Sequence, residues 1–344
     1  MRRPATHRAS FMRLALNIGW ITAALVVTGL FAIPMRAQTP ASRTLRLAST
    51  PWSPFTNETG KARFALDLVH AALQRAGITA STTIVEDGKL TSALLKGEYD
   101  GSAALWKDSE REKTLLYSQP YLENRLVLVG RKGSDVSATK LSALKGKRVA
   151  LVETYAYGDT IRDSSGPVYV KSLSEEDSLQ KVISNDAAYT LIDELVVEFI
   201  LKNYPDQAKT YLAFGSTPLL VRTLHFAVRK DLPDAASIID KFNSQLKVLV
   251  ADRTYNRLLQ LDWIQADIDG QTVNIPSTDQ AGVTPPDRSY KLVTGESDPA
   301  KPTGFYVGGK VYQNWSTVPD AFKLAGPNDT LSGGTKFSIF SFNW

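Results

Sequence analysis

What most restricts the fold of this 344-residue chain is an alternation of short apolar, β-branched runs with stretches of helical period, laid down twice in succession. In the first round TLRLAST (44–50) reads as a strand, and PWSPF (51–55), with two prolines, as a loop. FALDLVHAALQRAGI (64–78) is a helix with Gly77 as its stop, STTIVE (81–86) a strand, KLTSALLKGEYD (89–100) a helix ending near Gly97, and GSAAL (101–105) a buried strand. The second round follows LVLVGRKG (126–133). KRVALVE (147–153) is a strand, YGDTIRD (157–163) a short helix, VYVKSL (168–173) a strand, and SEEDSLQKVIS (174–184) a helix capped by Ser174. AAYTLID (187–193), ELVVEFILKN (194–203), LHFAVRK (224–230) and ASIIDKFNSQLKVLVAD (236–252) continue as strand, helix, strand and helix. Strands rather than flexible linkers lie at the joins. The prediction is an α/β chain of two similar lobes connected by hinge strands, with a cleft in which a ligand is enclosed.

Both ends of the chain depart from this grammar. Residues 1–37 hold Arg2, Arg3, Arg8, Arg13 and Arg36 and no acidic side chain, and an apolar run from Leu14 to Ile33 ends at Pro34. A basic flank followed by an apolar stretch is the layout of an export signal, and about 20 residues is also enough to span a bilayer as a retained anchor. Either outcome places the rest outside the cytoplasm, in the periplasm of a two-membrane cell. Beyond Gly270 the texture becomes rich in Pro, Thr, Ser and Asp, so 271–304 reads as a linker. FYVGGKVYQNW (305–315) reads as a hairpin turning at Gly308 and Gly309, and KFSIFSFNW (336–344) as a further strand, which makes 305–344 a small β appendage. This appendage is expected to be dispensable for ligand binding.

Charge and composition remove several classes of function. The formal charge of +5 comes entirely from the first 37 residues, leaving 35 basic and 35 acidic side chains in the remainder. A neutral body gives no footprint for nucleic acid. With no cysteine, the chain has no disulfide, thiolate nucleophile or thiolate metal site. His7, His70 and His225 stand far apart, so no histidine pair has metal spacing and no nucleophile–histidine arrangement is formed. No phosphate loop is present, and neither a metal nor any other cofactor is expected.

An ordered set of segments resembles the family 3 extracellular solute-binding proteins, the amino-acid-binding components of ABC importers. These segments are LRLASTPWSPF, FALDLVHAAL, LLKGEYDG and SEREKTLLYSQPY, then LSALKGKRVAL, DSLQKVISNDAAYTLID, FAVRKDLP and DRTYNRLLQLDWI. The resemblance covers about residues 44–268 and implies a two-lobed periplasmic-binding-protein-like fold of type II. Lobe 1 would comprise 44–130 and 224–268, and lobe 2 would comprise 131–223. It also implies a small-molecule ligand such as an amino acid or related carboxylate, a clamp that closes on it, and an ABC transporter permease as partner.

The same resemblance assigns roles to individual residues. Arg111 of SEREK matches the arginine that holds the ligand's α-carboxylate, a task suited to a planar guanidinium fork. Asp193, ending AAYTLID, matches the aspartate that receives the α-ammonium, and from sequence it is equally a helix N-cap. Trp52 falls where the family places an aromatic ring over the ligand. Thr154, Tyr155 and Ala156 replace the family's Gly and Ser/Thr after the first strand of lobe 2. Ala104 and Trp106 stand where hydroxyl residues are usual, and Ser49 stands where binders of basic amino acids carry an acid. Together these point away from lysine, arginine or histidine and toward an uncharged, aromatic or aliphatic ligand side chain. Trp52, Trp106, Arg111, Tyr155, Ala156 and Asp193 are thus the expected site, with no catalytic group. The competing readings are an enzyme resembling cyclohexadienyl dehydratase, with Glu153 or Glu194 as general acid, and a membrane-anchored sensor.

Overall fold

The structure is a computed structural model that describes residues 43–162, 166–268, 270–278, 290–291 and 304–323. Residues 1–37 and 336–344, read above as an export segment and a strand, lie outside the described residues. The first lobe is built from β1 (Leu45–Ser49), α1 (Phe64–Arg75), β2 (Ala80–Ile84), α2 (Leu90–Leu95), β3 (Gly101–Trp106) and β4 (Leu115–Tyr117). The long strand β5 (Leu122–Arg131) leads to β6 (Arg148–Val152), α3 (Asp159–Arg162), β7 (Val168–Ser172), α4 (Glu175–Ile183), β8 (Tyr189–Asp193), α5 (Glu194–Asn203) and α6 (Pro205–Tyr211). The chain returns through β9 (Leu212–Arg229), and α7 (Ala235–Ala251) and α8 (Thr254–Leu259) then pack against α1.

All nine strands form one sheet, in the order β2-β1-β3-β9-β5-β8-β6-β7 with β4 also on β9. β1 runs parallel to β2 and β3, and β6 runs parallel to β7 and β8, as crossover helices require. The joins are antiparallel: β3 to β9, β9 to β5, and β5 to β8. Strands covered on both faces carry little polar sequence, and β8 is buried along its whole length. The apolar stripe of α1, formed by Leu66, Val69 and Leu73 with neighbours Ala65, Leu68 and Ala72, is buried completely.

β9 is the strand that sequence reading shortened most. The expected strand began at 224, yet pairing with β5 extends from Leu122↔Leu224 to Arg131↔Leu212. Gly215 and Pro218 lie in the part missed. Pro218 sits opposite Val127, where the register shifts, and a residue without a backbone N–H is tolerated at such an irregularity. Both β5 and β9 run through the two lobes and supply the hinge connection.

A second sheet follows. β10 (Trp263–Ile268), β11 (Gln271–Pro276), β12 (Tyr290–Lys291), β13 (Gly304–Val307) and β14 (Lys310–Tyr312) are arranged as β12-β10-β11-β13-β14. Gln271–Pro276, expected to open a linker, is instead a strand paired antiparallel with β10. Its two apolar residues, Val273 and Ile275, are fully buried, a period-2 signal too short to stand out in so polar a stretch. Gly308 and Gly309, at φ 58° and 75°, make the two-residue turn of the β13–β14 hairpin. Among the described residues no helix is long and apolar enough to cross a membrane.

Candidate functional site

A cavity of about 210 Å³ opens at the ends of the first-lobe strands and is closed from the other side by the loop after β6. The first lobe contributes Thr50, Trp52, Leu90, Thr91, Ala104, Leu105, Trp106 and Arg111, and the second contributes Thr154, Tyr155 and Ala156. Five of the six residues singled out from sequence, Trp52, Trp106, Arg111, Tyr155 and Ala156, therefore meet around one space. Asp193 does not line it.

Arg111 begins the short turn after β3. The carboxylate of Asp108 organises this turn by accepting from the backbone N–H groups of Glu110 and Arg111 at 2.8 and 3.0 Å. The Arg111 Nε lies 3.4 Å from the Asp108 Oδ2, and its Nη2 donates across the cleft to the Thr154 carbonyl at 3.2 Å. Among the described residues its Nη1 has no partner. The guanidinium is thus held at the rim by both lobes with part of its fork unused, a geometry suited to an anion entering the cavity.

Aromatic rings form the rest of the wall. The centroid of Trp52 lies 5.6 Å from that of Trp106 at 89° and 5.8 Å from that of Tyr155 at 62°. Trp106 and Tyr155 are 5.4 Å apart at 78°. The Trp106 indole N–H donates to the Asn124 Oδ1 at 2.8 Å, which satisfies a buried donor and fixes the ring. Tyr157 packs behind Trp106 at 5.6 Å, and its hydroxyl accepts from the backbone N–H of Val152. Trp106 is consequently both a packing residue, 5% exposed, and part of the cavity wall.

Asp193 is buried in a separate network. Its Oδ1 accepts from the N–H of Leu195 at 2.8 Å, so it caps α5, and its Oδ2 accepts from the Asn124 amide at 3.0 Å. Burial pushes its carboxyl up to about 7, against the pull of those two bonds and of Arg125. The N-cap alternative recognised from sequence is the arrangement seen, and the chain Trp106–Asn124–Asp193 links it indirectly to the cavity.

Glu175 is the residue sequence reading passed over. It follows the N-cap Ser174 and looks like an ordinary acidic first-turn residue, yet its Oε1 accepts the Trp52 indole N–H at 3.0 Å and ties α4 to the opposite lobe. Burial, and then Glu176, pushes its carboxyl well above the usual range; Asp193 and Asp87 add to the effect while the Trp52 bond opposes it. Asp87, beside the cavity residue Gly88, is pushed up to about 6, chiefly by burial. No local pattern marks Glu175 as a cleft residue, because its partner is 123 positions away. No group of three or more potential metal ligands occurs among the described residues.

The sequence profile of the bacterial extracellular solute-binding proteins, family 3, matches residues 45–266. Solved structures of similar fold include a mutant of ArgBP from T. maritima, with TM-score 0.53 and 24% identity over 63% of this chain and 93% of that one. The arginine-, lysine-, histidine-binding protein ArtJ of Geobacillus stearothermophilus has TM-score 0.53 and 19% identity over 63% and 94%. The VFT2 domain of BvgS from Bordetella pertussis has TM-score 0.53 and 19% identity over 63% and 92%. Identities this low speak for the fold alone. No curated protein matches the chain.

Proposed function

The chain belongs to the bacterial extracellular solute-binding proteins, family 3, and from that premise we propose that it captures a small amino-acid-like carboxylate between its lobes, outside the cytoplasmic membrane. The observation that carries this reading is Arg111, whose partly used guanidinium lines a cavity walled by both lobes. A ligand carboxylate there would exchange water for a charge-assisted pair, and closure would shield the pair from solvent. The apolar walls contributed by Leu90, Ala104, Leu105, Ala156 and Leu224 suit an uncharged ligand body. Ser49, buried and facing Ser102, offers no charge to a basic side chain.

In this reading the protein binds without turnover and delivers its ligand to the permease of an ABC importer. Export through the amino-terminal segment, with or without its removal, belongs to the same reading. Likeness to a BvgS domain favours a second destination, a sensor partner, and the site chemistry is the same in either case. Calorimetric titration of the purified protein with amino acids and small carboxylates tests the capture step. A ligand at 100 times its dissociation constant should stabilise the fold by roughly 2.7 kcal/mol. If no member of a broad panel raises the melting temperature, the capture reading fails. Appearance of an aromatic product from prephenate or arogenate would replace it with an enzyme.

A further inference from the structure

Arg111 gives the cavity a place for an anion, and whether a cation can enter beside it depends on the carboxyls that the walls offer. Among the described residues no lining side chain is acidic. The carboxyls that reach the lining residues from behind are engaged there. Asp108 accepts from the backbone N–H groups of Glu110 and Arg111 and faces the Arg111 Nε. Glu175 accepts the Trp52 indole N–H, and Asp87 is hydrogen-bonded by the Thr50 side chain. Burial pushes both of these carboxyls toward their neutral forms. Two carbonyls of lining residues are taken as well: that of Thr154 accepts from the Arg111 Nη2, and that of Thr50 from the Thr56 Oγ1 at 2.6 Å.

Asp193 is shut off from the cavity by a side chain that does line it. Its carboxyl accepts from the backbone N–H groups of Leu195 and Arg125 and from the Asn124 amide, with the charge of Arg125 beside it. Asn124, itself fully buried, presents its Oδ1 to the Trp106 indole N–H. Between the cavity and Asp193 the structure thus places the amide of Asn124 and the indole of Trp106. An α-ammonium enclosed here would give up water for walls with no charged acceptor free to meet its N–H donors. A keto oxygen or a hydrogen at the α-carbon brings neither the charge nor the donors, and leaves the carboxylate its pair with Arg111. A site that strands a polar group of the wrong ligand discriminates against it.

We infer that this site selects carboxylates that lack an α-ammonium, the α-keto and simple carboxylic acids of apolar body, and that Trp106 sets the preference by covering Asp193. This inference rests on the capture reading above and narrows it. Titration calorimetry with matched compounds tests it: pyruvate against alanine, ketoisocaproate against leucine, and phenylpyruvate and hydrocinnamate against phenylalanine. The tightest ligand is expected to lack the ammonium and to bind at least tenfold more tightly than its matched amino acid, whether the keto acid or hydrocinnamate leads its series. Trp106→Ser, which uncovers Asn124 and Asp193, should narrow that ratio at least tenfold, and Trp106→Phe should keep it. Trp106→Ala replaces the serine variant should that one fail to fold, and the pairs measured on the unaltered protein need no variant. An amino acid that binds most tightly, or within tenfold of its matched acid, overturns the inference and leaves capture standing. A ratio unchanged on removal of the indole overturns the role given to Trp106. Silence from the whole panel ends both readings.

Discussion

Arg111 and Trp52 enter the cavity from the same lobe but contribute to binding in different ways. Losing the guanidinium would strand a desolvated carboxylate, so Arg111→Ala should cost on the order of 2–5 kcal/mol of affinity. Trp52→Ala should cost about 1–3 kcal/mol, as loss of one buried ring does. Equal losses by titration calorimetry would remove Arg111 from the role of carboxylate clamp. Asp193 carries a separate expectation. Because burial raises its carboxyl to about 7, the fold holds its full advantage only while this group is protonated in both states, below about pH 4. The advantage is lost as pH rises through the folded value. His225 works in the other direction: burial holds its imidazole down to about 4, so its contribution declines as pH falls below its ordinary value. Asp193→Asn isolates the first effect, and its melting temperature should decline less between about pH 4 and about pH 7 than that of the unaltered protein. Parallel profiles would show that Asp193 does not titrate as argued. Residues such as Arg111 and Trp52 were legible because each sits in a recognisable local segment. Glu175 was not, since its significance arises only when α4 of one lobe meets the proline-rich loop of the other.

Local pattern marks most of the longer elements, whereas β4, α6, α8 and β10 were not anticipated, and the two misread strands have specific causes. α1 and α7 announce themselves by a continuous apolar stripe and α4 by its Ser174 cap, which accepts from the N–H of Asp177. β9 was cut short because Gly215 and Pro218 resemble breakers, although long pairing with β5 overrides them. β11 was hidden by its polar neighbours. At the seam between β3 and β9 the backbones approach so closely that a Cβ added to Gly101 would stand 2.2 Å from the Ala227 carbonyl oxygen. That contact cannot be relieved by turning a side chain, so Gly101→Ala should destabilise by about 1–3 kcal/mol or more in denaturant unfolding. An unaltered midpoint would mean that the seam is looser than its pairing implies.

For the whole molecule, the cavity draws on no residue beyond Leu224, while the second sheet completes the body. The expectation that the carboxy-terminal segment is dispensable for binding can therefore be separated from stability. A chain ending at Gly270 loses β11, including buried Val273 and Ile275 and the Ile275 carbonyl that accepts from the Asn256 amide. Burial of two aliphatic side chains suggests a loss of about 3–6 kcal/mol of stability. Affinity in whatever remains folded should stay within about tenfold, or about 1.4 kcal/mol. A folded but non-binding truncation would place part of the site in the extension. The sheet order also sets a timetable for synthesis. β3 and β4 are complete by residue 117, yet both pair with the far end of β9, which ends at Arg229. A chain growing at roughly 5–20 residues per second thus spends several seconds with half a sheet waiting for its central strand. During that interval β3 and β4 lack the strand that pairs with both of them. Nascent chains stalled before Arg229 should be cut readily within residues 45–117 by added protease, and those stalled well beyond it should resist.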